Sequence, residues 1–117
     1  MKYDKEIGDW TKKYAISIIK LCAEMRKRKI DLDVIIQLRK CGTSVGANVN
    51  EGKASSSNKE FIRFYEISLR SCREVLFWID VIKEGYEYKS ELLTHCGEEA
   101  QQIKNVLTAI IIKLKRK

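Results

Sequence analysis

No proline occurs anywhere in this chain of 117 residues. Tight turns and irregular loops use proline to preset φ, and a chain of many short strands seldom does without it. Its complete absence therefore points to long uninterrupted helices joined by short links. With 44% hydrophobic and 33% charged residues, the chain can build a core and is too apolar for a disordered segment. Its length suits one domain, taken as residues 1–117.

Apolar spacing at 3.6 residues per turn predicts four helices. The first runs near Lys5–Arg26, with Ile7, Trp10, Tyr14, Ile18, Leu21, Cys22 and Met25 inward, and the basic run Arg26–Lys29 closes it. Asp31 or Asp33 can cap a second helix reaching about Glu51, with Val34, Leu38, Cys41, Val45 and Val49 inside and Gly52 as its stop. Gly42, Ser44, Gly46 and Ala47 give it a low surface that another helix can approach closely. Ser57 and Glu60 have capping-box spacing and open a third helix through Phe61, Phe64, Tyr65, Ser68, Cys72, Val75, Ile79 and Ile82 to Gly85. Ser90 caps a fourth, bearing Leu92, Cys96, Ile103, Leu107, Ile110 and Leu114. Short links favour antiparallel neighbours, hence an all-α, antiparallel up-down-up-down four-helix bundle.

These stripes leave Ile16, Ile36, Phe77, Val81 and Ile112 pointing outward, with Ile67, Leu69 and Trp78 on flanks of the third helix. Apolar residues left over on every helix predict a second buried surface, so self-association is expected through those five.

The net charge is +7. It divides as +5 on residues 1–30, 0 on 31–57, −1 on 58–88 and +3 on 89–117. Antiparallel packing would set Lys2, Lys5, Lys12 and Lys13 near Lys113, Lys115, Arg116 and Lys117, with Lys53, Lys59 and Arg63 at the same end. Such a patch attracts a polyanion by counterion release, and nucleic acid is the expected partner. Lys12, Lys13, Lys53, Lys59, Arg63, Lys113, Lys115, Arg116 and Lys117 are the candidate contacts.

Catalytic chemistry finds little footing. His95 is the one histidine, and no phosphate-cradling glycine loop is present. Glu91, His95 and Glu98 make at most a weak metal cluster on an ordinary helix surface. Cys22, Cys41, Cys72 and Cys96 are widely spaced and read as reduced core thiols rather than a disulfide framework or a zinc site. The expectation is no enzyme activity, no catalytic residue, no metal and no cofactor. No segment has the apolar length of a membrane span and the start lacks a signal core, so a cytoplasmic protein is expected.

Gln37-Leu38-Arg39-Lys40, Ser44-Val45-Gly46-Ala47-Asn48-Val49-Asn50-Glu51-Gly52 and the run from Lys59-Glu60-Phe61-Ile62-Arg63-Phe64 to Glu74 resemble bacterial four-helix bundle proteins encoded in intervening sequences of 23S ribosomal RNA genes. Ile7-Gly8-Asp9-Trp10-Thr11-Lys12-Lys13 is similar to that family's aromatic-and-basic opening. The resemblance implies a ring-like homo-oligomer, a pentamer. Through the related accessory variability proteins of diversity-generating retroelements, it also implies RNA or a protein–RNA complex, with a reverse transcriptase or other RNA-handling protein, as partner. The alternative is a protein-interaction scaffold without a nucleic-acid ligand. The family usually has proline where this chain has Gly46, so a bend in the second helix is an open expectation.

Overall fold

Four helices follow one another in the computed structural model, which describes residues 3–116 and the side chains of 6–116: α1 (Tyr3–Lys27), α2 (Leu32–Lys53), α3 (Asn58–Gly85) and α4 (Glu91–Lys115). No strand occurs among the described residues. Each helix packs on its chain neighbours, α1 also meets α4, and the diagonal pairs do not touch. The four therefore stand at the corners of a square in a body 47 × 20 × 20 Å. Contacts between α2 and α3 run in opposite directions, Gly52 against Tyr65 and Ser44 bonded to Ser71, as antiparallel packing requires.

The periodicity places most of the core correctly. Ile7, Tyr14, Ile18, Leu21, Leu38, Val45, Val49, Tyr65, Cys72, Val75, Ile82, Cys96, Ile103 and Leu107 are sealed from solvent or nearly so. Burying each such aliphatic or aromatic side chain stabilises by about 1.5–3 kcal/mol, and this opposes the entropy lost on ordering the chain. Trp10, Val34, Phe61, Leu92 and Leu114 pack at its margin, while Ile35, Leu93, Ala100 and Ile111 belong to the interior although the stripes omitted them.

One helix end differs from the sequence expectation and another matches it. Gly52 does not stop α2: it is helical and buried, and a Cβ there would stand 2.9 Å from the Tyr65 ring. Its smallness serves close packing against α3. Gly85 ends α3 without a left-handed turn; the positive φ falls two residues later, on Glu87 at 51°, and the Tyr88 amide donates to the Lys83 carbonyl. Lys29, φ 61°, does the same after α1, with the Ile30 amide on the Met25 carbonyl. Both ends carry the Schellman hydrogen bond with a charged residue where glycine is usual. Ser57 and Ser90 cap their helices as expected, accepting from the Glu60 and Leu93 amides at 3.1 Å. Asp31 occupies the α2 cap position without a side-chain cap bond and instead accepts from the Tyr86 hydroxyl at 2.6 Å.

Helix α2 runs unbroken through Gly46. A Cβ at Gly46 would lie 2.7 Å from the Thr11 carbonyl oxygen, and one at Gly42 would lie 2.7 Å from the Ile18 side chain. The low surface is thus the seat of α1, built by Gly42 and Gly46. Ser44 turns to α3 and Ala47 to solvent.

The turn from α3 to α4 is tied to α1 through Glu24. Its carboxylate accepts from the Tyr88 and Ser90 hydroxyls, each at 2.7 Å, and Arg28 lies 3.9 Å away. Partial burial raises the Glu24 pKa, but those two hydrogen bonds and Arg28 outweigh it and hold the carboxyl below its usual range. A depressed carboxylate pKa contributes stability that is complete above the unfolded value and is lost as pH falls through the folded one. Thermal melts of wild type and Glu24→Gln should therefore differ most at neutral pH and converge in acid. A constant difference from pH 7 to pH 3 would contradict this role.

Candidate nucleic-acid interface

One end of the bundle is formed by the C-terminus of α2, the first turns of α3 and the last turns of α4. It carries Lys53, Lys59, Arg63, Lys113, Lys115 and Arg116, all exposed. Lys53 lies over Gly8 of α1, its Nζ 3.3 Å from where a Cβ would stand. The Arg63 guanidinium sits 4.9 Å from the centre of the Phe64 ring, which steadies a cation that remains open to solvent. Lys115 donates to Glu66 at 3.0 Å, an exposed pair that water screens. Glu6 on α1, Glu51 and Glu60 are the other carboxylates of this end among the described side chains. Lysines and an arginine in the last turn of α4 also face the negative pole of its dipole, which helps to hold them there without neutralising the end as a whole.

Lys12 and Lys13 stand apart from the far end of α4 but about one turn from Gly8, over which Lys53 lies. Trp10 Nε1 donates to Glu99 at 2.9 Å and the Tyr14 hydroxyl donates to the Cys96 carbonyl at 2.8 Å, which fixes the level of α1 against α4. From Glu99, Lys113 lies about 21 Å further along its helix, so α4 runs well past the level of Lys12. Lys13 is paired with Asp9 at 3.1 Å, and Lys12 stands beside the close approach of Gly46. Lys117, Lys2 and the Lys5 side chain lie outside the described residues.

The opposite end is basic in sequence but balanced in structure. Arg28 donates to the Lys89 carbonyl at 2.7 Å and lies 4.8 Å from the centre of the Tyr88 ring, besides approaching Glu24. Asp31, Asp33, Glu84, Glu87 and Glu91 share that end with Arg26, Lys27, Lys29, Lys83 and Lys89. A cleft there of about 430 Å³ is lined by Lys83, Tyr88, Lys89, Ser90, Glu91, Thr94, His95 and Glu98, charges of both signs without a common focus. His95 is bound to Glu99 at 3.0 Å, the same carboxylate that holds Trp10.

Among the described residues, no three of His, Cys, Asp and Glu converge on a metal position. The four cysteines are free and buried, one on each helix. Burial pushes all four thiols up, those of Cys41, Cys72 and Cys96 to about 12, which keeps them protonated and poorly nucleophilic. No described helix is long and apolar enough to cross a membrane.

The sequence motifs of the middle chain have packing roles. Asn48 donates to the Ser44 carbonyl and hydroxyl at 2.9 Å each, and Ser44 bonds Ser71 on α3. Asn50 donates to the carbonyls of Gly46 and, across to α1, Gly8. Phe61 stacks on Tyr65 with ring centres 4.2 Å apart. Thus α2 is locked to both neighbours by the Ser44–Gly52 stretch. The expected outward residues are confirmed as exposed for Ile16, Phe77 and Ile112, at 47–59%. Ile36 and Val81 are only partly exposed, and Ile19 and Leu32 are open although the sequence reading passed over them.

Of three comparisons with known proteins, two find relatives. A family model described as 23S rRNA-intervening sequence protein matches residues 4–109. A solved structure from Bacteroides thetaiotaomicron, described as a protein with unknown function from the S23 ribosomal protein family, superposes with a TM-score of 0.84 at 23% identity. The match covers 90% of this chain and 97% of that one, and at this identity it speaks for the fold. Curated proteins give no match.

Proposed function

The chain belongs to the 23S rRNA-intervening sequence protein family, and on that premise we propose that it is a non-enzymatic, homo-oligomeric protein, a ring-like pentamer, that holds RNA or a protein–RNA complex on a basic surface. The observation that carries the reading is the gathering of Lys53, Lys59, Arg63, Lys113, Lys115 and Arg116 at one end, against a balanced opposite end. Exposed cations at helix ends neutralise phosphates without reading base edges, so the chemistry is backbone neutralisation with weak sequence preference. Symmetric assembly repeats the basic end and multiplies its field. A reverse transcriptase or another RNA-handling protein fits the same surface as part of a protein–RNA complex.

The exposed apolar side chains favour a second reading, a protein-interaction scaffold with no nucleic-acid ligand. Purifying the tag-free protein and measuring its 260/280 nm absorbance ratio before and after ribonuclease treatment separates the two. A raised ratio that falls on treatment is expected. A bare-protein ratio from the start, with no retardation of a structured RNA at low salt, overturns the RNA reading and leaves the scaffold.

A further inference from the structure

Two exposed apolar faces on this molecule are unlike each other in charge. On the α1/α2 side, Ile16 and Ile19 are each 48% exposed and Leu32 is 56% exposed, with Ile36 partly open beside them. Cys22 Sγ reaches the Ile35 carbonyl and Ile18 meets Gly42, so Ile19 and Ile36 stand near one another in height, with Ile16 and Leu32 toward opposite ends of the face. Around them lie Lys12, Lys20, Arg26 and Arg39, with Asp31 and Asp33 as the acids of that stretch.

The second face is on α3. Phe77 is 59% exposed, packs edge-on against Trp78 with ring centres 5.2 Å apart, and borders a shallow depression shared with Asp80, Val81 and Glu84. Glu74 lies one turn before it, with Arg70 and Arg73 as the nearby cations. Lys83 is turned to the α4 side, where it lines the clefts between those two helices. None of the cations of the first face or the acids of the second has an ion-pair partner among the described residues.

We infer that the occupant of each face is a second copy of this chain, the cationic α1/α2 face of one copy seating the acidic Phe77–Val81 face of the next. This rests on the reading of the chain as a homo-oligomer and assigns which surfaces meet. Either face against itself opposes like charges over its apolar centre, whereas unlike faces attract and bury both. Phe77 is the anchor, a large aromatic at the middle of the acidic face. Because the two surfaces differ, every copy that joins leaves one of each open, so growth proceeds beyond two until the rotation closes a ring.

The test uses two full-length variants, Ile16→Asp with Ile19→Asp and Phe77→Asp with Val81→Asp, in sedimentation velocity at micromolar concentration. Wild type should sediment as an assembly larger than a dimer and each variant alone as a monomer. An equimolar mixture should form a 1:1 dimer that grows no further, because each variant retains the face that the other has lost. A monomeric wild type overturns the homo-oligomer reading itself. An assembled wild type whose variants dimerise alone, stay assembled or ignore each other overturns the pairing of faces. Should either variant lose helical circular dichroism, Lys12→Glu with Arg39→Glu and Asp80→Lys with Glu84→Lys take their place. Each of these is expected to associate about tenfold more weakly alone and to recover on mixing, and failure to recover overturns the pairing.

Discussion

Replacing Gly46 by valine is expected to destabilise the bundle by about 3 kcal/mol or more, the largest stability loss from any exchange of one glycine in this chain. The added Cβ would stand 2.7 Å from the Thr11 carbonyl oxygen and 3.0 Å from its carbon, and both are backbone atoms of α1 that cannot swing aside. The helices must separate, and the Asn50 bond to the Gly8 carbonyl lies on the same seam. Gly46→Ala meets the same contact and should lose about 1–2 kcal/mol, because helix propensity returns roughly 1 kcal/mol of the packing cost. Gly97→Ala is the control: its Cβ would make an ordinary 3.4 Å contact with Ile79, so the propensity gain should stand and raise stability by about 1 kcal/mol. Urea titrations followed by circular dichroism measure all three. Equal midpoints for Gly46→Val and wild type would contradict the close approach.

Reversal of Lys113, Lys115 and Arg116 to glutamate is expected to lower affinity for a structured RNA about 100-fold at moderate salt while leaving the fold intact. The three are exposed, and the one ion pair disturbed, Lys115 with Glu66, is worth less than about 1 kcal/mol at a solvated site. Mobility shift at a fixed salt concentration reads the affinity. The matched control reverses Lys27, Lys29 and Lys89, equally basic in sequence but set among carboxylates, and should change affinity less than threefold. Equal losses at the two ends would refer binding to net charge alone and remove the site.

The fold was legible because its causes are local and periodic. Apolar spacing, two serine caps and the lack of proline each act within a few residues, and Ser57 and Ser90 sit where those signals put them. The low α2 surface was also legible: of the four residues named for it Gly42 and Gly46 take α1, while Ser44 bonds across to α3 and Ala47 faces solvent. Proline at Gly46, usual in the family that the sequence resembles, would remove an amide from a helix that runs straight through this point. Here glycine provides contact in place of a bend. The candidate site was only partly legible, because charge can be counted along a chain while height cannot. Lys12 sits one turn from the Gly8–Lys53 contact and Lys13 is paired with Asp9, while the Trp10–Glu99 and Tyr14–Cys96 bonds, long-range contacts with no signature in local sequence, set both apart from the far end of α4. The glycine stop at Gly85 stands where it was expected, whereas Gly52 was misread as a stop because it answers to the ring of Tyr65 on the next helix.

The central claim, a polyanion held by the cations of one end, is tested most directly by the salt dependence of RNA affinity. For nuclease-treated, tag-free protein, log affinity plotted against log salt should fall with a slope of about −3 to −5, as expected for several neutralised phosphates, and the slope should shrink by about 2–3 in the Lys113, Lys115 and Arg116 reversal. A flat plot for wild type, or the same steep slope in the variant, would contradict the account.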